Sequence, residues 1–405
     1  MLVKRLKNKL QSAKMRIEFR YFRSQVNSNT WSEHERHING CIALAKQHLN
    51  QALNNDPVYL KSEQLRLQAM SSFKNRYKEN KGLRVMLHVP STWASPGGAS
   101  IFRSWLDGLR FLGVRAIELP WDCDTSNAIR EFHPSVLFTS DDKTYTEQLD
   151  WDFIRRYRAH SPMAVILTSS HEHDGNSSNL VRLKQARNRG VSLFVSFRDD
   201  EYIQNWLQEW WENGFEVISI PFSANPLIYS YVPTSEKPLD YVFLASSNLT
   251  GKFERYKQYF LPIFRRYRGV INGLGWGQDE LILAREYHRF IYSMAKIGIN
   301  LHIPTSIRLV SEINERTYIL ACCGLFQLTD KPKTLNKVFG TNAIVSADNP
   351  RKYVEKFEYF INHPEERLPF IIRSLESVYD SHTIFHRMDK FVNKLLTLEE
   401  LRPVL

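Results

Sequence analysis

The sequence predicts an α/β protein with two Rossmann-like domains facing each other across a cleft, with an N-terminal helical extension and C-terminal helices. From residue 84 onwards, short apolar segments alternate with segments of helical periodicity. This alternation is typical of parallel sheets covered by helices. A proline-bearing link at 226–238 divides the segments into two groups. The first 80 residues lack strand-like segments and are polar with helical spacing.

The strand predictions follow from these apolar runs and define the expected domains. The predicted strands are Arg84–Pro90, Val114–Leu119, Ser135–Thr139, Ala164–Thr168, Ser192–Ser196 and Glu216–Pro221 before the link, and Asp240–Leu244, Gly269–Asn272, Gly298–Leu301, Leu325–Thr329 and Ala343–Val345 after it. We expect a helical extension over 1–82, Rossmann-like domains over 83–232 and 233–370, and helices over 371–405 that can cross back to the first domain.

The net charge of +11 is concentrated at the N-terminus. Residues 1–25 contain eight Lys or Arg against one Glu, a net +7, so the other 380 residues carry only +4. Apolar residues at helical spacing form one stripe of this basic segment: Leu2, Leu6, Leu10, Ala13, Ile17 and Tyr21. Such a helix can lie in the headgroup layer of an anionic membrane or dock on the body of the protein. RNA binding is a weaker alternative, because no RNA-module signature accompanies the charge.

Composition, cysteine spacing and the lengths of the apolar runs argue against a disordered, a disulfide-bonded and a membrane-spanning protein. Among the 405 residues, 43% are hydrophobic, which is enough for folded domains. The four cysteines lack C-x-x-C spacing, and we expect reduced, mostly buried thiols. No apolar run reaches the length of a membrane span, and the N-terminus lacks a signal-peptide core. These features predict a cytoplasmic protein that can touch a membrane at its inner face.

Pro96-Gly97-Gly98 follows the first predicted strand and opens a helix. Without side chains, Gly97 and Gly98 let a ligand approach the backbone, and a helix N-terminus favours an anion. A plain tight turn is the alternative. The segment is neither G-x-G-x-x-G nor a P-loop, so dinucleotide-dependent oxidoreductases and P-loop NTPases lose support.

His171-Glu172-His173-Asp174 follows the strand that ends at Thr168. Two histidines and two carboxylates raise the possibility of a metal site. Their spacing within one loop, with no third cluster elsewhere, favours instead a polar loop in which His171 acts as an acid/base or donor-contacting group. A solvated loop is the remaining alternative, and we expect no bound metal.

Asn272-Gly273-Leu274-Gly275-Trp276 follows a strand of the second group. Gly273 and Gly275 permit close approach to the backbone, and the ring of Trp276 can stack on a base or a sugar. A glycine turn beside a core tryptophan explains the same residues.

Residues 313–330 predict a polar loop, a short helix, a glycine stop at Gly324 and a strand that ends at Asp330. Asn314 and Arg316, at the start of the helix, can hold an anion such as a diphosphate. A salt-bridged, structural Arg316 is the alternative.

The stretch INERTYILACCGLFQLTD, followed by HPEER and YDSHTIFHR, resembles the spore-maturation-type (CgeB-like) group 1 glycosyltransferases of GT-B fold. The positions that fall on the family pattern are Asn314, Arg316, Ala321, Cys322, Gly324, Asp330, His382, Thr383 and Arg387. Upstream, IPFSANPLIY resembles the link between the two GT-B domains, and Arg255 falls in a segment that resembles the start of the donor domain. The resemblance covers about 84–400 and is strongest over the last 100 residues.

The resemblance implies a transferase that moves a sugar from a nucleotide-diphospho-sugar to a glycan, lipid or protein acceptor, without a metal or other cofactor. The second domain would hold the donor through Arg255, Gly273, Gly275, Trp276, Asn314, Arg316, Thr317 and Gly324. The first domain would hold the acceptor near Gly97, Gly98 and His171. No nucleic-acid partner is expected.

One position departs from the family pattern. The family has a Glu, expected to hydrogen-bond the donor ribose, where this chain has Ile319. Isoleucine cannot accept a hydrogen bond, and loss of a charge-assisted bond costs roughly 1.5–3 kcal/mol. Three explanations are open: another group such as Glu315 holds the donor, the donor is a different nucleotide sugar, or catalytic activity has been lost. The last case predicts a glycosyltransferase-like binding or scaffold protein at a membrane.

Overall fold

The computed structural model describes residues 2–26, 34–50, 55–92, 95–169, 179–247, 252–276, 282–303 and 312–404. It confirms the predicted α/β class, with two parallel sheets and helices between successive strands. The strands are β1 Arg84–Val89, β2 Arg115–Pro120, β3 Val136–Ser140, β4 Ala164–Thr168, β5 Leu193–Ser196, β6 Val217–Ser219, β7 Leu239–Leu244, β8 Gly269–Asn272, β9 Ala295–Ile299, β10 Gln327–Asp330 and β11 Val345–Ala347. Every predicted strand is present, with ends that shift by a few residues.

Helices lie between successive strands within each sheet, and further helices precede β1 and follow β11. They are α1 Leu2–Gln25, α2 His34–Asn50, α3 Pro57–Phe73, α4 Pro96–Phe111, α5 Thr125–Phe132, α6 Lys143–Thr146, α7 Trp151–Arg158, α8 Asn179–Arg189, α9 Asp200–Trp206, α10 Gln208–Glu212, α11 Phe253–Arg255, α12 Leu261–Arg266, α13 Arg285–Ser293, α14 Glu315–Cys322, α15 Leu335–Phe339, α16 Pro350–Asn362, α17 Leu368–Ser381 and α18 Ile384–Leu395. A π-helical turn, Tyr256–Phe260, joins α11 to α12.

The six-stranded sheet has the order β2-β1-β3-β4-β5-β6, and the five-stranded sheet has the order β11-β10-β9-β7-β8. Each belongs to one compact unit. The six-stranded unit comprises Leu65–Leu227, Val310–Tyr318 and Val378–Leu405, and the five-stranded unit comprises Met1–Gln64, Ile228–Leu309 and Ile319–Ser377. The central strands are buried on both faces and rich in Val, Ile, Leu and Phe, as parallel strands covered by helices require.

The last helix belongs to the six-stranded unit, where it packs on α4. The rings of Phe111 and Phe385 stack with centroids 4.3 Å apart, and those of Trp105 and Phe391 lie 5.6 Å apart. Gly108 permits this approach, because a Cβ there would lie 2.8 Å from the side chain of Met388. The C-terminal helix therefore completes the core of the sheet built from residues more than 150 positions earlier in the chain.

Helix α1 packs on the five-stranded unit through a face that the sequence pattern did not predict. Phe19, Phe22 and Val26 are buried in its core, and the ring of Phe22 lies 5.5 Å from that of Phe253. Ile17 and Tyr21, which belong to the predicted apolar stripe, are both 68% exposed. The docked face of α1 is therefore the aromatic one, where two phenylalanine rings bury a large apolar area against the core.

All four cysteines are free thiols, as predicted, and Cys41, Cys322 and Cys323 are buried. The thiol of Cys322 lies 3.1 Å from the carbonyl oxygen of Tyr229. Burial raises the pKa of the Cys323 thiol well above its ordinary value. Cys323 therefore serves packing, and burial suppresses the reactivity of its thiol.

Candidate functional site

The order of the five-stranded sheet places a topological switch point between β7 and β9, because the chain leaves β7 toward β8 and leaves β9 toward β10. Doubly wound sheets bind ligands outside the carboxyl ends of the strands at such a point. Three charged or titratable side chains follow strands here: Arg255 after β7, His302 after β9 and Asp330 at the end of β10. The structure brings all three into contact.

The Asp330 carboxylate is the centre of this cluster. It is 2% exposed, and it accepts hydrogen bonds from Arg255 (2.6 Å), from the His302 ring Nδ1 (2.6 Å) and from the His302 backbone N–H (3.0 Å). Burial raises the pKa of this carboxyl, but His302 and Arg255 outweigh burial and hold the pKa below its ordinary value. Asp330 is therefore an ionised group that orients two donors.

Arg255, predicted to bind the donor directly, is thus partly committed to Asp330. Its side chain is 19% exposed, and its guanidinium lies over the Tyr259 ring, 5.0 Å from the centroid. The π-helical turn begins at the next residue, and π-helical irregularities are frequent at functional sites. His302 was not predicted as a site residue. The signal was available, since INLH ends a predicted strand in the same way as LTD does.

The glycine loop after β8 packs against the turn that follows β7. A Cβ on Gly273 would lie 2.3 Å from the carbonyl oxygen of Ala245, and one on Gly275 would lie 2.5 Å from the Ser247 hydroxyl. Both glycines have positive φ, +140° and +83°. They are required because the turns that follow β7 and β8 touch each other at the carboxyl edge.

Trp276 is a core residue, contrary to the prediction that it stacks on a ligand. It is 1% exposed, and its indole N–H donates to the carbonyl of Ala245 at 2.7 Å. Phe19, Phe22 and Tyr256 pack around the ring. Helix α1 docks on the body of the protein, one of the two placements expected for it, and through Phe19 and Phe22 it packs on the Trp276 ring.

The start of α14 uses two of the predicted donor-binding residues for its own cap. The side-chain oxygen of Asn314 accepts from the Thr317 backbone N–H at 3.1 Å and from the Thr317 hydroxyl at 3.0 Å. Thr317 is completely buried, so its hydroxyl serves the helix start and not a ligand. Arg316, between them, is half-buried and keeps its predicted role as a proposal.

Gly324 ends α14 with a left-handed conformation, φ +61°. A Cβ there would lie 2.7 Å from the Tyr231 ring and 3.0 Å from Val58. Gly324, the glycine of the family pattern, therefore allows α14 to end here and to pack closely against Tyr231 and Val58. Ile319, the departure from the pattern, is buried at 6% exposure on the same helix, while Glu315 is half-buried.

In the six-stranded unit, the turn after β1 leads into α4 as predicted. The Ser95 hydroxyl caps the helix by accepting from the Gly98 N–H at 3.3 Å. A Cβ on Gly98 would lie 2.4 Å from the Tyr145 hydroxyl, whereas Gly97 is exposed with no atom within 4 Å of its Cβ position. Gly98 is therefore a packing glycine, and the backbone of Gly97 is open to an approaching group.

An aromatic cluster that the sequence analysis missed lies at the same carboxyl edge. His88 of β1 is 1% exposed, bonds the Thr139 hydroxyl at 2.9 Å and packs 6.0 Å from the Trp121 ring. The rings of Trp121 and Tyr145 are 5.0 Å apart. Burial lowers the pKa of His88 to about 4, so the imidazole is neutral at pH 7.

His171 lies in the segment 170–178, outside the described residues. Ser169 and Arg182, which flank that segment, both contact Asp141, which follows β3. Arg182 donates to the Asp141 carboxylate, which also accepts from the Ser169 hydroxyl at 2.8 Å. Over the described ranges, no group of three or more His, Cys, Asp or Glu side chains could hold a metal ion.

The closing His-Thr…Arg motif has a structural role within the six-stranded unit. Arg387 donates to the Pro221 carbonyl at 3.0 Å and to the ring nitrogen of His382 at 2.9 Å. The backbones of Ala224 and Ile384 are hydrogen-bonded at 2.7 Å. The motif fastens α18 to the end of the six-stranded sheet, because the guanidinium satisfies carbonyls that the turn leaves without partners.

The structure is similar to solved GT-B glycosyltransferases. Against T4 phage β-glucosyltransferase (BGT) in complex with UDP and Mn²⁺, the TM-score is 0.52 at 10% identity, covering 78% of this chain and 100% of that chain. Against sucrose-phosphate synthase from Thermosynechococcus elongatus, the TM-score is 0.51 at 10% identity, covering 78% of this chain and 99% of that one. The fold is therefore GT-B, as the resemblance implied.

Within that fold, residues 255–393 match the glycosyl transferase-like family. The spore protein CgeB of Bacillus subtilis (strain 168) is 36% identical over 84 residues, which cover 19% of this chain and 25% of CgeB. The match thus spans about a quarter of the length of this curated relative. These similarities confirm the predicted likeness to the CgeB-like group 1 glycosyltransferases.

Proposed function

We propose that this protein transfers a sugar from a nucleotide-diphospho-sugar to a glycan, lipid-linked or protein acceptor. The observation that carries the proposal is the buried Arg255–Asp330–His302 cluster at the switch point of the five-stranded sheet. It lies at the edge where a doubly wound sheet takes its ligand, and Arg255 begins the segment that matches the glycosyl transferase-like family. The structural neighbour from T4 phage is a complex with UDP, which supports a nucleotide-linked donor.

In this proposal the five-stranded unit holds the nucleotide and the diphosphate. Arg255 offers its guanidinium to the diphosphate oxygens, and its charge stabilises the negative charge that develops as the sugar leaves. Arg316, at the start of α14, keeps its predicted role as a donor-binding residue. No resident metal is required for that step. The six-stranded unit takes the acceptor near the open backbone of Gly97, and His171 keeps its predicted role as the acid/base or donor-contacting group. His88, a neutral imidazole, lies in β1 of the same sheet.

A second candidate function is a glycosyltransferase-like binding protein without activity. It is favoured by Ile319, which stands where the family has Glu and which is buried on α14. Release of nucleoside diphosphate from a bound nucleotide sugar distinguishes the two functions. Binding without release, across glycan, lipid and protein acceptors, would favour the second one.

Nucleotide binding is the first test of the proposal. In a thermal-shift panel of UDP, GDP, ADP and their sugars, at a hundred times the dissociation constant, the true donor is expected to add about 2.7 kcal/mol of stability. Arg316→Gln should weaken that nucleotide at least tenfold, because a bidentate charged contact is lost. Arg373→Gln is the matched control, since its guanidinium donates to the Asn342 carbonyl on an exposed surface. No shift with any nucleotide would exclude the transferase function.

We further propose that α1 brings the protein to an anionic membrane surface. With Phe19 and Phe22 docked, the opposite face presents exposed Ile17 and Tyr21 beside exposed Lys14, Arg16 and Arg20. Each basic side chain near such a surface contributes about 1 kcal/mol, and each inserted apolar side chain contributes about 1.5–3 kcal/mol. None of the described helices combines the length and hydrophobicity needed to cross a bilayer. The proposed contact is therefore with the surface.

The double variant Ile17→Glu, Tyr21→Glu is expected to reduce flotation with phosphatidylserine liposomes at least tenfold while preserving the fold, because neither side chain is in the core. Leu67→Glu, at a 58% exposed position of α3, provides a matched control that should float as the wild type does. Equal flotation of the double variant and the wild type would remove the proposed role of α1.

A further inference from the structure

A buried polar atom at the switch point of the five-stranded sheet lacks a partner. The ring of His302 is 0% exposed. Its Nδ1 lies 2.6 Å from Asp330, whereas within the described part of the chain Nε2 has no hydrogen-bond partner. Buried polar side-chain atoms are almost always paired, so an orphaned ring nitrogen at a ligand-binding edge calls for an explanation.

The protonation of the ring follows from its neighbours. Asp330 is ionised, so it can only accept, and Nδ1 must donate to it. Nε2 then lies at the other edge of the ring, and it is a second donor in the doubly protonated ring. An anionic oxygen placed at Nε2 would itself favour that doubly protonated form, because it supplies the partner and the opposite charge for the second N–H.

Two further donors around the same strand ends also lack partners. The Arg255 Nε is buried and unpaired, although the terminal nitrogen of the same guanidinium bonds Asp330. The Thr334 hydroxyl, four residues after β10, is buried without a partner as well. Three polar groups without partners thus follow three strands of the same sheet. Together they favour a negatively charged ligand with several acceptor oxygens.

We propose that His302 binds the diphosphate of the donor through Nε2–H, and that Asp330 is a positioning residue that holds the ring by its Nδ1. The nature of the ligand rests on the proposed function, because a nucleotide sugar is what supplies a diphosphate at this edge. The contact adds a donor to the predicted set of Arg255 and Arg316. It also gives Asp330 a role in binding without contact to the substrate.

Two isosteric variants separate the two ring nitrogens. The amide nitrogen of asparagine replaces Nδ1, and that of glutamine replaces Nε2. His302→Asn should keep the bond to Asp330 and weaken UDP and inorganic pyrophosphate at least tenfold in calorimetric titration of the full chain. His302→Gln should retain more of both affinities than His302→Asn does. Tyr353→Phe serves as the control, since it removes a buried hydroxyl that donates to the Leu328 carbonyl in the same unit.

The outcomes are distinct. Unchanged affinity of His302→Asn for both probes would overturn the inference, as would an equal loss in Tyr353→Phe, which would show general destabilisation. If His302→Asn does not fold, a His302→Gln variant that folds and has lost pyrophosphate binding completely would also overturn it. If the wild type binds pyrophosphate but no nucleotide, the proposed function is wrong, and a tenfold loss in His302→Asn would still support an anion site at His302. A wild type that binds neither probe overturns both.

Discussion

Replacing Asp330 with alanine is expected to destabilise the five-stranded unit by about 3–5 kcal/mol. The carboxylate is 2% exposed and pairs with both Arg255 and His302. Removing one partner of a buried ion pair leaves uncompensated charge in a low-dielectric interior, which is the reason for the large cost. The variant should also lose nucleotide binding, because both donors lose the group that orients them.

Urea unfolding of the full chain, with hydrogen exchange of β7 and β9 as the local probe, measures this loss. Asp348→Ala is the matched control. Asp348 pairs with Lys352 at 3.2 Å, but the two side chains are 54% and 56% exposed. Solvent screens exposed ion pairs of this kind, so they contribute little to stability. Equal, small effects of the two substitutions would mean that Asp330 is not the centre of a buried charge cluster.

The second large effect is expected from Gly273→Ala, with a loss of about 2–5 kcal/mol. A Cβ at this position would lie 2.3 Å from the Ala245 carbonyl oxygen, and a backbone atom of a neighbouring turn cannot rotate away as a side chain can. The residue also has φ +140°, which L-residues with side chains rarely adopt. Steric overlap and backbone strain therefore add.

Gly340→Ala separates these two contributions. Gly340 also has positive φ, +81°, but no atom lies within 4 Å of its Cβ position. Backbone strain without overlap should cost about 1–2 kcal/mol. Denaturation midpoints of the two variants give the comparison. If Gly273→Ala is no more harmful than Gly340→Ala, the turns after β7 and β8 do not touch as described.

The strands could be predicted because their signal is local. A run such as Ala164–Thr168 is apolar at every position and bounded by polar residues, which a strand covered on both faces requires. The CgeB-like resemblance was likewise carried by a contiguous stretch around α14. Of the predicted site, Arg255 and Arg316 remain proposed ligand contacts, whereas Asn314 and Thr317 form a helix cap.

The sequence by itself determined the α/β class, the strand positions and the polar residues that follow the strands, because these depend on neighbours within a few positions. The tertiary structure decided which groups meet. It paired Arg255 with Asp330, 75 residues apart, and left an edge of His302 without a partner. It also placed Trp276 under α1 and chose the Phe19–Phe22 face of that helix. Local periodicity does not distinguish between two faces of a helix or between possible partners of a charged side chain. Packing between distant segments of the chain makes that choice.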